Sequence, residues 1–306
     1  MRRAWIVGVA GAVLAALSLG ACGDPESAPG EAPPSAAAPD PSPTTRSRVT
    51  TAPWDGEPAK PAPEVLYLGD SLAVENQRVL GALLRDGLGA RYTSVPYGGT
   101  TLCDYLEGTA DRSLVPPGDK AAALVRRLRP DYVVLQFWGN SWDYTPCMDG
   151  ITYGKNRAEY FRRYEAAAAG LTEQITNAGG AHRPTIVWVL QGPDPMTPDR
   201  VRRVNALYAR QAKDSGDLTA DAGRAVSPAS GRYTWTQYLP CTAYEREHKG
   251  YCTRPDRART ALHHDKDPLH FCLAPTTSRP RPCPVVSPGI TRMARAITRA
   301  VADAVS

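Results

Sequence analysis

Val65-Leu66-Tyr67-Leu68-Gly69-Asp70-Ser71-Leu72 decides how the rest of the chain is read. Four apolar residues that stop at a glycine have the length of a buried strand. Directly after them Leu72, Val79, Leu80, Leu83 and Leu84 recur at helical spacing, which predicts a helix over 72–87 ending near Gly87 and Gly89. A strand that turns straight into a helix is the first half of a crossover unit, and such units build parallel sheets.

The same alternation continues downstream. Thr93–Tyr97 reads as a second strand closed by Gly98-Gly99, and 119–128 as a helix stopped by Pro130. Tyr132–Phe137 is the clearest buried strand. A long helix is expected over 156–177, a strand over Thr185–Leu190, a helix over 198–213 and a closing amphipathic helix over 288–304. The pattern weakens at 226–269, where 226–262 reads as a loop-rich insertion carrying Cys241 and Cys252. Strand alternating with helix predicts an α/β fold, a single-domain three-layer α/β/α sandwich around a central parallel sheet. Sites in such sheets lie at the carboxyl ends of the strands.

Those ends carry chemistry-bearing residues. Gly69-Asp70-Ser71-Leu72 places a serine at a strand-to-helix junction, where a tight turn can present both its hydroxyl and its backbone N–H. Asp and Ser are also ordinary helix N-caps. Gly98-Gly99 offers a backbone N–H unobstructed by a side chain, though a plain tight turn uses the same pair. Gly139-Asn140 supplies a neutral amide donor suited to a developing oxyanion. Before the last helix stands Asp267-Pro268-Leu269-His270. A spacing of i to i+3 lets the Asp267 carboxylate reach one ring nitrogen of His270 and leaves the other free as a base.

These four blocks, in this order, resemble the SGNH (GDSL-type) hydrolase superfamily over roughly residues 64–304. The resemblance implies Ser71 as nucleophile, His270 as general acid and base, and Asp267 as its orienter. It also implies an oxyanion hole from the N–H groups of Ser71 and Gly99 and the Asn140 amide. Gly99 is preferred to Gly98 because it directly precedes Thr100-Thr101. The implied activity is extracytoplasmic hydrolysis of carboxylic esters, short acyl or acetyl esters of small molecules or of cell-envelope glycans or lipids, through an acyl-Ser71 intermediate, with no metal and no organic cofactor. A glycan O-acyltransferase using the same acyl-serine, or a non-catalytic envelope-binding lipoprotein, are the alternatives. Two departures stand out: Ser141 follows Asn140 where the family often has Asp, and the 226–262 insertion reads as a lid or specificity loop. Trp138 and Trp142 flank Asn140 and read as pocket wall or core before sugar platforms. His263, His264 and Asp265 read as a flexible polar loop, and His182 and His248 as surface residues.

The amino terminus sets the compartment. Arg2-Arg3 precede an apolar run, Ala4–Gly20, that ends in Leu19-Gly20-Ala21-Cys22, so 1–21 reads as a signal peptide. The tetrapeptide resembles the lipobox of bacterial lipoproteins, which implies acylation of Cys22 and anchoring on the outer face of the cell membrane. Eleven of the 29 prolines fall within 23–63. Residues 22–63 are therefore expected to form a Pro/Ala-rich disordered tether, roughly 35 Å long as a coil. The six remaining cysteines, Cys103, Cys147, Cys241, Cys252, Cys272 and Cys283, point to disulfides in an exported chain. Sequence does not choose the pairing; Cys103–Cys147, Cys241–Cys252 and Cys272–Cys283 is the working expectation, the first bracing the two oxyanion loops. No C-x2-C pair favours zinc. Lys plus Arg number 36 against 31 Asp plus Glu in 306 residues, with no basic run, which argues against a nucleic-acid partner.

Overall fold

The computed structural model describes residues 61–306. The leader, Cys22 and all but the last three residues of the tether lie outside the described residues. Among the described residues no helix is long and apolar enough to cross a membrane.

The chain alternates as expected: β1 Glu64–Gly69, α1 Ser71–Leu88, β2 Arg91–Ser94, α2 Ala121–Leu128, β3 Tyr132–Gln136, α3 Arg157–Gly179, β4 Thr185–Val189, α4 Pro198–Ser215 and β5 Leu218–Ala220. A short helix, α5 Ala222–Ala225, follows. Beyond it β6 Tyr238–Pro240, α6 Ala243–Glu247 and β7 Arg259–Ala261 precede the last helix, α7 Pro288–Val305. All five strands of the main sheet are parallel, in the order β2-β1-β3-β4-β5. Parallel strands need crossovers over the faces, so both faces are covered and the central strands are mostly apolar. Val65, Leu66, Tyr67 and Leu68 accordingly have no solvent exposure.

Two cores result. On one face Leu66, Leu68, Val133 and Leu135 meet Tyr160, Tyr164 and Leu171 of α3 and Tyr208 of α4. On the other, Val65, Tyr67 and Val134 meet Leu80 and Leu84 of α1 and Ile290, Ile297 and Val301 of α7. The apolar stripes seen at helical spacing are these buried faces.

The differences from the sequence reading have physical reasons. The second strand begins at Arg91 and ends at Ser94, because Pro96 has no N–H for the ladder. The pairing persists through single bonds from Val95 N–H to the Tyr67 carbonyl and from Tyr97 N–H to that of Gly69. The edge strand β5 has only three residues and no apolar run, so nothing in the sequence marked it. The 226–262 stretch is not a loop throughout: β6 and β7 pair antiparallel across it. It buries Leu239 and Leu262 in the core under α1 and α7 and pairs Glu245 with Arg292 of α7 at 2.6 Å. Disulfides join Cys103 to Cys147, Cys241 to Cys252 and Cys272 to Cys283.

Candidate active site

Strand order reverses between β1 and β3, and the chain leaves these neighbouring strands toward opposite faces of the sheet, which opens a crevice beyond their carboxyl ends. Ser71 follows β1 and Asn140 lies just past β3, so the fold delivers both to that crevice. Gly69 makes the approach feasible, since a Cβ there would sit 2.1 Å from the Gln136 carbonyl oxygen.

Asp70 joins the two loops. Its fully buried carboxylate accepts the Leu72 N–H at 3.0 Å, the Trp138 N–H at 2.7 Å and the Asn140 amide at 3.0 Å. Burial pushes this carboxyl up to about 6, against the pull of the Trp138 and Leu72 N–H groups. One carboxylate thus caps α1, fixes the loop after β3 and aims the Asn140 side chain. Ser141 bonds the Ile151 carbonyl, which holds the same loop from its far side.

The structure brings the distant histidine to the serine. His270 Nε2 lies 3.0 Å from Ser71 Oγ, and His270 Nδ1 lies 2.9 Å from Asp267 Oδ2. Asp267 Oδ1 also accepts the Leu269 and His270 N–H groups at 3.1 Å each, and the Thr276 hydroxyl donates to Oδ2. Burial alone would raise the Asp267 carboxyl, but the bonds from His270 and Thr276 outweigh it and hold the group well below the carboxylate range. An ionised carboxylate only accepts, so Nδ1 carries the ring proton and Nε2 is left to accept the Ser71 O–H. Burial disfavours the imidazolium, yet the Asp267 hydrogen bond and the charges of Glu75, Asp267 and Asp70 raise His270 above its ordinary value.

Ser71, Gly99 and Asn140 line one cleft with His270, about 200 Å³ in volume, whose walls include Trp138, Trp142 and Tyr144. Gly99 has φ +79, in the left-handed region that favours glycine, whereas Gly98 packs under Pro280. Of the two glycines, Gly99 is the one that lines the cleft with Ser71. Trp138 is buried, with the Arg200 guanidinium 4.2 Å from its ring centroid, and forms wall. Trp142 and the 59% exposed Tyr144 stack at 18°, making an aromatic face at the mouth. The Cys103–Cys147 disulfide ties together the segments beyond Gly99 and Asn140.

Other expectations change. His263 is not part of a flexible polar loop. It is buried, stacks on Trp235, packs tilted against Phe271, and bonds the His270 carbonyl at 2.9 Å through Nδ1. Burial pushes it down to about 4, so it is neutral packing beneath the His270 loop. Among the described residues none from 226–262 lines the cleft; that stretch supports the loop from outside, through the Trp235 indole bonded to the Pro268 carbonyl at 2.9 Å. Sequence reasoning passed over Asp70 as an organiser, Thr276, Tyr144 and Glu75. Only Glu75 left a trace, as an acid four residues after Ser71 on the same helix face. Among the described residues no three His, Cys, Asp or Glu side chains gather as a metal site.

No protein-family model and no curated protein sequence matches the chain. Solved structures resemble it only distantly. A catalytic mutant of Axe2, an acetylxylan esterase from Geobacillus stearothermophilus, is 15% identical with a TM-score of 0.43, covering 78% of this chain and 94% of that one. TesA is 15% identical with a TM-score of 0.36, covering 64% and 93%. A G-D-S-L family protein from Desulfitobacterium hafniense, described as lipolytic, is 12% identical with a TM-score of 0.40, covering 78% and 98%. At these scores the likeness adds nothing to the geometry itself.

Proposed function

We propose that the chain is a serine esterase of the SGNH type. The observation that carries this is the continuous relay from Ser71 Oγ to His270 Nε2 at 3.0 Å and from His270 Nδ1 to Asp267 at 2.9 Å, opening on an oxyanion site. His270 takes the Ser71 proton as Oγ attacks an ester carbonyl. The negative oxygen of the tetrahedral intermediate rests on the N–H groups of Ser71 and Gly99 and on the Asn140 amide. Collapse breaks the C–O bond, and His270 returns the proton to the departing alcohol. A water, deprotonated by His270, then attacks the acyl-serine, releasing the acid and restoring Ser71.

The aromatic pair Trp142 and Tyr144 at the cleft mouth suits the flat face of a sugar ring, which favours a short acyl ester on a glycan as substrate. The leader, Cys22 and three disulfides support a lipid-anchored enzyme on the outer face of the cell membrane. The test is p-nitrophenyl acetate hydrolysis by the oxidised protein beside Ser71→Ala. Turnover that disappears in the variant is expected; equal turnover in both would remove Ser71 from the chemistry.

A further inference from the structure

Glu75 is a carboxylate in the site for which the acylation cycle has no use. It stands on α1 one turn after Ser71, half-buried, and lines a hollow of about 50 Å³ with Ser71, His270, Thr276 and Arg281. Its Oε2 accepts the Phe271 N–H at 3.1 Å, and the Cys272 N–H lies next along the chain, where it helps to stabilise the charged carboxylate. Its own carbonyl accepts the Cys283 N–H at 3.3 Å. Cys272 and Cys283 are the two ends of a disulfide-closed strap that carries Thr276, the donor to Asp267, and Pro280, which covers Gly98. One residue on the nucleophile's helix therefore grips both ends of the strap, immediately after His270.

Shape alone would be served by a neutral acceptor. A carboxylate here is costly: burial pushes it up to about 7, against the pull of the His270 charge and the Phe271 N–H. What charge adds is a field on His270. The charged and titratable groups that face this ring are Glu75 and Asp70 from the start of α1, Asp267 and the neutral His263 from its own loop, and Arg281 across the hollow. Asp70 is engaged in aiming Asn140, and Asp267 in orienting the ring and accepting from Thr276; Glu75 is the charge that meets both ends of the strap.

We propose that Glu75 is a positioning residue: its carboxylate holds the His270–Cys272 segment against Ser71, and its negative charge favours the imidazolium that forms when Ser71 attacks. The inference rests on the serine-esterase reading for its kinetic consequence, but not for its effect on the ring itself.

The experiment follows the His270 ring by NMR titration in the oxidised full chain, wild type beside Glu75→Gln and Glu75→Ala, with kcat and KM on p-nitrophenyl acetate measured in parallel. Gln keeps an acceptor for the Phe271 N–H and loses only the charge. It should lower the His270 pKa by about half a unit or more, move the acid limb of the rate profile down with it, and reduce kcat a few-fold at constant KM. Ala loses both roles and should drop kcat by about tenfold or more, with Gln recovering part of that loss. A His270 pKa unchanged in the Gln variant, or an Ala variant with wild-type kcat, overturns the proposal. The near-isosteric Gln variant carries the test by itself if Ala fails to fold. A wild type that hydrolyses no ester but shows the ring shift sinks the esterase reading and leaves Glu75's hold on His270 standing.

Discussion

Ser71 and Asn140 are placed by the sheet, whereas His270 is placed by a strap. On the sheet side, β1 and β3 pair from Val65 to Gly69, and Asp70 ties the loops that leave them through three hydrogen bonds with no solvent exposure. On the strap side no main-sheet strand holds His270. Its position depends on Asp267, on Glu75 of α1, on His263 beneath it and on the Cys272–Cys283 disulfide. The nucleophile and oxyanion donors thus share the stability of the core, while the base is held by a few local contacts that can fail without unfolding the protein.

The largest expected effect comes from breaking the sheet side at Asp70. Asp70→Asn turns one carboxylate oxygen into a donor facing the Trp138 N–H and the Asn140 amide. It should cost about 10²–10³-fold in kcat through the misplaced oxyanion donor and about 1–3 kcal/mol of stability, read by kinetics and denaturant melts. Activity and stability should fall together.

On the strap side they should separate. The Cys272→Ser/Cys283→Ser and Cys241→Ser/Cys252→Ser variants each open a loop with ten residues between the cysteines and should each lose up to roughly 3 kcal/mol. The first should also lose about tenfold in kcat with KM little changed, because Thr276 and the residues after His270 loosen. The second should keep wild-type kcat. Equal kcat losses in both would erase the distinction between strap and insertion.

A smaller effect concerns pH. Glu75 titrates at about 7 when folded, above the ordinary glutamate value of 4.5, so the native state binds its proton more tightly than the unfolded chain. Its ionisation costs nothing below about pH 4, and the cost grows as pH rises to about 7 and persists above. The stability of Glu75→Gln relative to wild type should therefore rise by about 1–3 kcal/mol between pH 4 and pH 8 in melts at the two pH values. A difference that stays flat, or reverses, would mean that Glu75 carries no such burden.

The contrast also explains what could be read in the sequence. The strands 65–68 and 132–136 announce themselves as apolar runs because both faces of a parallel sheet are buried, and Gly69-Asp70-Ser71 and Gly139-Asn140 follow directly from where those runs stop. Asp267 and His270 were legible from their spacing, which brings carboxylate and ring together within one turn of chain. The supports were not. Thr276 and Glu75 act across 9 and 196 residues, and no periodicity encodes such contacts. His263 reads as part of a flexible polar loop because its burial depends on Trp235 and Phe271 closing over it. The short strands β5, β6 and β7 have three residues each and owe their place to neighbours rather than to propensity.

The central claim is that His270, held by the strap, activates Ser71, held by the sheet. Fluorophosphonate labelling of the oxidised protein, mapped by peptide mass and timed in wild type and His270→Ala, tests it most directly. The account predicts a single adduct on Ser71 in the wild type, formed at least about 10²-fold more slowly in the variant. An adduct on another residue, or equal labelling rates in the two proteins, would contradict it.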